Sequence, residues 1–158
     1  MLERLAERLM RWLVSLGLTP SRWPGSACGT VLLEVRGRRS GTLRSLLVTW
    51  VEQDGARYLV TMPGKEPQWV KNVRAAHGTA TLRHGRHRDE VQLRGLAASE
   101  RAPVLQAWYR FTSLSANPRR HFALGRSAAI EQFERIAPDH PVFRIVPVPG
   151  RSGGGEGC

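Results

Sequence analysis

The sequence predicts an α+β fold, in which about six mostly antiparallel strands form a small barrel flanked by helices. Short segments in the middle of the chain alternate apolar and polar residues and are joined by glycine-containing turns, a pattern typical of β-hairpins. Near both ends of the chain, apolar residues instead recur every three or four positions, which is the spacing of a helix face. The length of 158 residues suits one such domain.

An amphipathic helix is predicted over residues 2–16. We expect its apolar face to pack on the domain, although arginines beside an apolar face with a tryptophan are also typical of a helix that lies on a membrane surface. Prolines and glycines in residues 19–29 break the helical pattern, so residues 1–29 are interpreted as an N-terminal helix and linker. The apolar face contains Leu2, Leu5, Leu9, Met10, Trp12, Leu13 and Leu16.

The first half of the barrel is predicted to contain three strands and a short helix. Asp54-Gly55 is a typical hairpin turn, which makes the strands on either side antiparallel neighbours. Pro67 suits the first turn of a helix. The predicted elements are strands over residues 30–36, 46–51 and 57–61, a loop over residues 62–67 and a helix over residues 68–76.

The second half is predicted to contain a further hairpin, two helices and a last strand. Gly85 supplies the hairpin turn, and Ser99 followed by Glu100 marks the start of a helix. We expect a barrel domain over residues 30–149 and a disordered, glycine-rich tail over residues 150–158. The predicted elements are strands over residues 79–83 and 88–96, helices from residue 99 to about 114 and over residues 128–136, and a strand over residues 142–148.

The charge of the chain points to anionic partners. Lys and Arg total 24 against 13 Asp and Glu, a formal net charge of +11, and only Lys65 and Lys71 are lysines. The arginine guanidinium binds phosphate and carboxylate groups with two parallel hydrogen bonds. Nucleic acid is not the expected partner, because the arginines are spread along the chain and no nucleic-acid-binding motif is present.

The sequence also bears on the location of the protein. Two cysteines, Cys28 and Cys158, are too few for a disulfide framework. No apolar run is long enough to span a membrane, and charged residues interrupt what would be a signal peptide. We therefore expect a cytoplasmic protein, with peripheral membrane association through the N-terminal helix as an open alternative.

Two segments carry the candidate functional residues. In the first, residues 37–44, two glycines permit a tight turn while Arg39 and Arg44 converge on one place, an arrangement suited to an oxyanion such as phosphate. A solvated basic turn is the alternative. In the second, residues 63–75, a glycine loop leads into a helix that presents Trp69 beside Asn72, a surface suited to a ring-bearing cofactor or to packing on the sheet.

These segments resemble the deazaflavin-dependent nitroreductase family of split β-barrel proteins. The resemblance rests on Gly-Arg-Arg-Ser-Gly-x-x-Arg at residues 37–44 and on Pro-x-Trp-x-x-Asn-x-x-Ala at residues 67–75. The segment over residues 141–147 is similar to the last strand of that family. The resemblance covers roughly residues 30–148.

The resemblance implies that the chain binds coenzyme F-420, with FMN as the less favoured alternative, and transfers hydride from the reduced cofactor to a small organic acceptor. It implies that Arg39, Ser40 and Arg44 hold the phosphate and that Arg38 faces the glutamate carboxylates. It also implies a possible homodimer, since split barrels often complete their sites across two subunits. The residues expected to enclose the ring and polyol chain are Leu46, Leu47, Val48, Thr49, Thr61, Met62, Pro63, Gly64, Gln68, Trp69 and Asn72.

One departure from the family pattern concerns catalysis. In nitroreducing members of the family, tyrosines in a late helix line the substrate pocket. The matching stretch of this sequence, residues 126–136, contains no tyrosine. Tyr109 is therefore the candidate for a pocket hydroxyl, and the catalytic residues stay unknown. The alternative is a non-catalytic protein of the same fold that binds a cofactor, haem or lipid. No metal site is expected, because arginines surround the His84-x-x-His87 pair.

Overall fold

The computed structural model describes residues 2–16, 28–61, 66–112, 124–125 and 127–152. Four helices and six strands make up this part of the chain. The helices are α1 (Leu2–Ser15), α2 (Gln68–Ala75), α3 (Ala102–Thr112) and α4 (Ile130–Ile136), and short 3-10 turns cover Ala98–Glu100 and Ala137–Asp139. The strands are β1 (Cys28–Arg36), β2 (Leu43–Gln53), β3 (Ala56–Val60), β4 (Thr79–His84), β5 (His87–Gly95) and β6 (Val142–Ser152).

The six strands form a closed barrel in the order β1-β2-β3-β6-β5-β4, and every neighbouring pair is antiparallel. This confirms the predicted fold class. Asp54 and Gly55 both have positive φ, as the predicted two-residue turn between β2 and β3 requires. The barrel closes by a short pairing of β1 with β4, which covers only residues 32–34 of β1.

The last strand differs from the sequence prediction. It continues to Ser152, so residues 150–152 belong to β6 and not to the tail in which the sequence placed them. The extension follows from pairing, because Ser152 lies opposite Asp89 after an irregularity in the β5–β6 register. No local pattern in a proline- and glycine-rich segment signals a partner strand. The remaining tail, residues 153–158, lies outside the described residues.

Two cores lie on opposite faces of the sheet. Alternate residues such as Leu33, Val48 and Trp50 point into the barrel, where Val70 and Val73 of α2 pack against them. Residues of the opposite parity, including Val51, point outward and are covered by α3 and α4. The second core contains Val51, Val60, Ala102, Val104, Leu105, Trp108, Tyr109, Phe133, Ala137 and Val142.

The N-terminal helix α1 is attached to the outside of the barrel by its last turns. Val14 is fully buried, its carbonyl oxygen accepts a hydrogen bond from the Gly85 N–H at 2.9 Å, and Arg11 Nη2 donates to the Ser45 carbonyl oxygen at 2.8 Å. The expectation that the apolar face packs on the domain is wrong for most of that face, because Leu5, Leu9, Trp12 and Leu16 remain exposed. No helix in the described part of the chain is long and apolar enough to cross a membrane.

A buried histidine lies in the connection between α4 and β6. His140 is almost fully buried. Burial lowers the pKa of its imidazole below the ordinary value, and the opposing effects of Asp139 and of a hydrogen bond with the Thr61 main chain are smaller. His140 is therefore neutral in the folded protein at neutral pH.

We expect His140 to make the protein less stable in acid. The unfolded chain binds a proton at His140 near pH 6.5, whereas the folded chain does so only at lower pH. Because folding and proton binding are linked, the contribution of neutral His140 to the free energy of unfolding is complete above about pH 6.5. It is lost progressively as the pH falls through the folded pKa. Urea unfolding between neutral and mildly acidic pH measures this slope.

The substitution His140→Gln should flatten that slope, because glutamine does not titrate. The same substitution at the exposed His87 controls for the loss of a histidine as such. A slope that stays at its wild-type value in His140→Gln contradicts the assignment.

Candidate cofactor-binding groove

The loop between β1 and β2 forms a tight turn with its own hydrogen bonds. The Gly37 N–H donates to the Thr42 carbonyl oxygen at 2.9 Å, and the Gly41 N–H donates to the Gly37 carbonyl oxygen at 2.8 Å. Gly41 has φ +66°, a conformation that favours glycine. The Ser40 hydroxyl oxygen accepts from the Thr42 N–H at 3.3 Å, which leaves the hydroxyl hydrogen available to a ligand.

Helix α2 is hydrogen-bonded to this loop. The Asn72 side chain is buried, and its Oδ1 accepts two hydrogen bonds at 3.2 Å, one from the Arg38 main-chain N–H and one from Arg38 Nη1. Gln68 Oε1 accepts a third bond from Arg38 Nη1 at 2.9 Å. The position of Asn72 is set by Val70 and Val73, which are fully buried in the barrel core. Three hydrogen bonds of Arg38 therefore join the loop to the helix.

A groove of about 600 Å³ lies between the loop, the start of β2 and α2. Three arginines line it and no carboxylate does. Within the described residues, the exposed side chains of Arg39 and Arg44 make no hydrogen bond or ion pair with the protein. Unpaired guanidinium groups at one place attract an anion. The lining residues are Gly37, Arg38, Arg39, Ser40, Arg44, Ser45, Leu46, Gln68, Trp69 and Asn72.

The first turn of α2 adds main-chain donors to the same groove. The helix starts after Pro67 without a side-chain cap. In the regions that the structure describes, the N–H groups of Gln68 and Trp69 have no acceptor, as is usual for the first turn of a helix. Such N–H groups favour a bound phosphate or carboxylate.

The other wall of the groove is apolar. The Trp69 ring packs against Phe143 with ring centroids 5.7 Å apart and planes inclined at 53°, and Leu46 packs against the same barrel core. Trp69 is thus held in one orientation beside the arginines. A groove with a cationic end and an aromatic wall fits a cofactor that carries both a phosphate and a flat ring system.

The structure brings together eight of the residues that the sequence assigned to the cofactor, namely Arg38, Arg39, Ser40, Arg44, Leu46, Gln68, Trp69 and Asn72. It adds Gly37, which the sequence analysis placed in the turn but did not assign to the cofactor, and Ser45, which it missed. Gly37 opens the motif itself, and Ser45 directly follows Arg44, so proximity in the chain was the available signal. Met62, Pro63 and Gly64 lie outside the described residues.

Four assigned residues do not line the groove. Val48 points into the barrel core, and Leu47 and Thr49 point to the outer face because side chains alternate along β2. Thr61 is buried, and its hydroxyl donates to the Pro141 carbonyl oxygen at 3.0 Å. The sequence prediction treated residues 46–49 as one surface, whereas among these four residues Leu46 alone lines the groove.

Tyr109 does not provide a hydroxyl to this groove. The ring is buried in the second core, 5.6 Å from the Phe133 ring between centroids. Its hydroxyl donates to the Leu124 carbonyl oxygen at 2.5 Å. The helical pattern showed that Tyr109 lies on the apolar face of α3. The structure shows that this face packs against the outer surface of the barrel.

Comparison with protein families gives a match that covers most of the chain. The model of the F-420H2-dependent quinone reductase family matches residues 7–126, a range that includes the loop, α2 and every residue of the groove. The chain belongs to this family. This F-420H2-dependent quinone reductase family member is therefore an oxidoreductase that uses coenzyme F-420, as the sequence motifs predicted. The match favours an enzyme over the non-catalytic alternative.

Three similar solved structures each have 22% sequence identity or less to this family member. One is an F-420-H2 dependent reductase with 20% identity and a TM-score of 0.47, covering 73% of this chain and 92% of that chain. A putative pyridoxamine 5′-phosphate oxidase from Listeria innocua has 11% identity and a TM-score of 0.49, covering 75% and 82%. A domain-swapped dimer has 22% identity and a TM-score of 0.48, covering 91% and 96%. No curated protein matches the chain.

We expect Asn72→Ala to loosen the loop, because the Arg38 main-chain N–H loses its acceptor on α2. The free energy of unfolding should fall by about 0.5 to 1.5 kcal/mol, the net contribution of a typical hydrogen bond. The Arg38 amide should also exchange faster with solvent. Urea unfolding and amide hydrogen exchange measure the two effects.

Asn72→Asp is the matched control, since it keeps an acceptor at the same place and should preserve slow exchange at Arg38. Equal exchange rates at Arg38 in the alanine variant and the wild-type protein would show that Asn72 does not hold the loop.

Proposed function

We propose that the protein transfers hydride from reduced coenzyme F-420 to a quinone, with the cofactor bound in the groove between the β1–β2 loop and α2. One observation carries this proposal. The groove combines three arginines and no carboxylate with a fixed tryptophan wall, and it lies inside the segment that matches the quinone reductase family. The substrate class in the family description supports a quinone as the acceptor.

The cationic end of the groove binds the charged parts of the cofactor. Arg39 and Arg44, together with the Ser40 hydroxyl, hold the phosphate through charge-assisted hydrogen bonds. Arg38 keeps donors free beyond those that Gln68 and Asn72 engage, and it faces the glutamate carboxylates. Asn72 acts as a positioning residue, because its Oδ1 is occupied by Arg38.

The apolar wall binds the ring system and excludes water from it. Trp69 is braced by Phe143, and Leu46 continues the same surface. When bound, reduced F-420 supplies a hydride and releases a proton, so that a quinone which takes up both becomes the hydroquinone and the cofactor is left oxidised. The groove residues contribute binding and orientation, since none of its lining side chains is an acid or a histidine.

The arginine assignment can be tested by cofactor titration. Arg39→Ala and Arg44→Ala should each weaken F-420 binding by about 1 to 3 kcal/mol, the range for charge-assisted hydrogen bonds. Fluorescence titration at two salt concentrations measures the affinity. FMN, haem and a short duplex DNA serve as competing ligands, and preferential binding of any of them contradicts the proposal.

Arg135→Ala is the matched control for this titration. It removes the same charge from an exposed position on α4, a helix that contributes no residue to the groove. Affinity should stay at the wild-type value in this variant. If all three variants weaken binding equally, the net charge of the protein and not the groove determines affinity.

A homodimer and a peripheral membrane contact belong to the same proposal. The homodimer stays a prediction from the family resemblance, and sedimentation equilibrium of the full chain tests it. A single species of 17.6 kDa at all concentrations would contradict it.

The membrane contact is assigned to α1, whose apolar face is exposed.

A further inference from the structure

A second cavity, of about 500 Å³, lies at the other end of β2 from the cofactor groove. Glu52 lines this cavity and Arg44 lines the groove. These two residues are eight positions apart on β2, a separation of about 25 Å along a strand. The cavity and the groove have no lining residue in common, so they are separate places on the barrel.

The cavity arises from the unequal lengths of two neighbouring strands. The pairing of β3 with β6 covers residues 57–60 of β3, because β3 begins at Ala56 after the hairpin turn. In contrast, β6 continues beyond that pairing and is paired with β5 as far as Ser152. The end of β3 therefore leaves a notch beside β6, where Val146 and Pro147 line the cavity.

Two arginines lie directly opposite each other at this cavity. Arg94 of β5 is in register with Arg144 of β6, so their side chains leave the same face of the sheet with Cβ atoms about 5 Å apart. Both line the cavity and both are exposed. In the part of the chain that the structure describes, neither makes a hydrogen bond or an ion pair with the protein. Like charges directly opposite each other destabilise an antiparallel strand pair.

The neighbouring groups do not neutralise the two arginines. Tyr58, the residue opposite Arg144 on β3, is not a carboxylate. Among the described residues, Glu52 is the one carboxylate of the cavity lining, and its Oε2 lies 3.7 Å from Nε of a third arginine, Arg57. Glu52 is therefore already paired, and the cavity keeps an excess of positive charge.

We propose that Arg94 and Arg144 bind the phosphate group of a second small molecule, separate from the cofactor. A dianionic phosphate presents oxygens to two guanidinium groups from one centre and removes the repulsion between them. The volume is that of a small-molecule site, and Ile145, Val146 and Pro147 give the lining an apolar part. The ligand class is therefore a phosphate ester with a small organic group. This inference does not rest on the proposed function.

Calorimetric titration with phenyl phosphate tests the site. The titration uses the full chain with Arg39→Gln and Arg44→Gln, a background that removes the two unpaired arginines of the groove. This background chain should bind one phenyl phosphate per molecule. Adding Arg94→Gln and Arg144→Gln should weaken that binding by at least about tenfold, because both guanidinium partners are lost. A background chain that binds no phenyl phosphate overturns the proposal.

The matched control removes the same charge elsewhere. Arg4→Gln with Arg135→Gln changes exposed positions on α1 and α4, and in the same background it should leave the affinity for phenyl phosphate unchanged. An equal loss in both double variants would show that net charge determines binding. Arg94→Lys with Arg144→Lys should bind with intermediate affinity, since it keeps both charges and loses the planar guanidinium groups.

Two further ligands test the chemical class. Inorganic phosphate should bind the background chain more weakly than phenyl phosphate, because it lacks the organic group that contacts the apolar part of the lining. Succinate should also bind more weakly, since its two charges lie on separate carboxylates. Succinate that binds as tightly as phenyl phosphate overturns the phosphate assignment. Tighter binding of a short duplex DNA, lost in Arg94→Gln with Arg144→Gln, assigns the two arginines to nucleic acid instead.

Thermal unfolding at low ionic strength provides an independent measurement. Without added ligand, Arg144→Gln in the background chain should raise the Tm, because it removes the repulsion with Arg94. Phenyl phosphate should then raise the Tm of the background chain more than that of the variant, since a ligand stabilises the folded chain that binds it. Equal increases in the two chains contradict the proposal.

The new site and the cofactor groove can be tested separately. In the otherwise wild-type chain, Arg94→Gln with Arg144→Gln should leave the affinity for F-420 unchanged. A loss of F-420 binding in this variant would assign the two arginines to the cofactor and overturn a separate site. A wild-type chain that binds no F-420, while the background chain binds phenyl phosphate, contradicts the proposed function and supports the second site.

Discussion

The burial of one face of α2 in the barrel is the constraint on which the site depends. Val70 and Val73 pack among residues of the inner core and are fully buried, a contribution of about 1.5 to 3 kcal/mol for each side chain. Their burial fixes the rotation of the helix. Asn72 then lies under the β1–β2 loop, and Trp69 lies beside the groove. The residues that hold the helix and the residues that line the groove alternate along less than two turns.

The position of the β1–β2 loop also depends on α2. Its internal hydrogen bonds define a tight turn, but its position above the barrel is set by the three bonds that Arg38 makes to Asn72 and Gln68. Arg39 and Arg44 consequently line one groove without a protein partner among the described residues.

Several other arginines of this basic chain pair with groups of the protein itself. Glu34 is buried on β1 and is paired with Arg88 and Arg83 across the sheet. The Arg57 guanidinium lies 5.0 Å from the centre of the Trp50 ring, and Arg101 donates to three main-chain carbonyl oxygens at the ends of the short helical turns. These arginines stabilise the fold. Arg39 and Arg44 at the groove lack such partners among the described residues, a property that composition does not report.

Local patterns in the sequence determined most of the architecture and half of the site. Alternation, helical spacing and the turns at Asp54-Gly55 and Gly85 predicted the strands and helices, because each pattern reports which residues share a face within one element. The motif over residues 37–44 likewise brought the arginines and glycines of the loop together, since they are neighbours in the chain.

Tertiary structure decided which face of each element meets which partner. Both Leu46 and Leu47 belong to a predicted strand, but only barrel closure shows that Leu46 reaches the groove. In the same way the apolar faces of α1 and α3 look alike as patterns, yet the one containing Tyr109 is buried and the one containing Trp12 is exposed. The pairing of Ser152 with Asp89 is a third case. Periodicity describes one element at a time, whereas these outcomes depend on contacts between elements that are far apart in the chain.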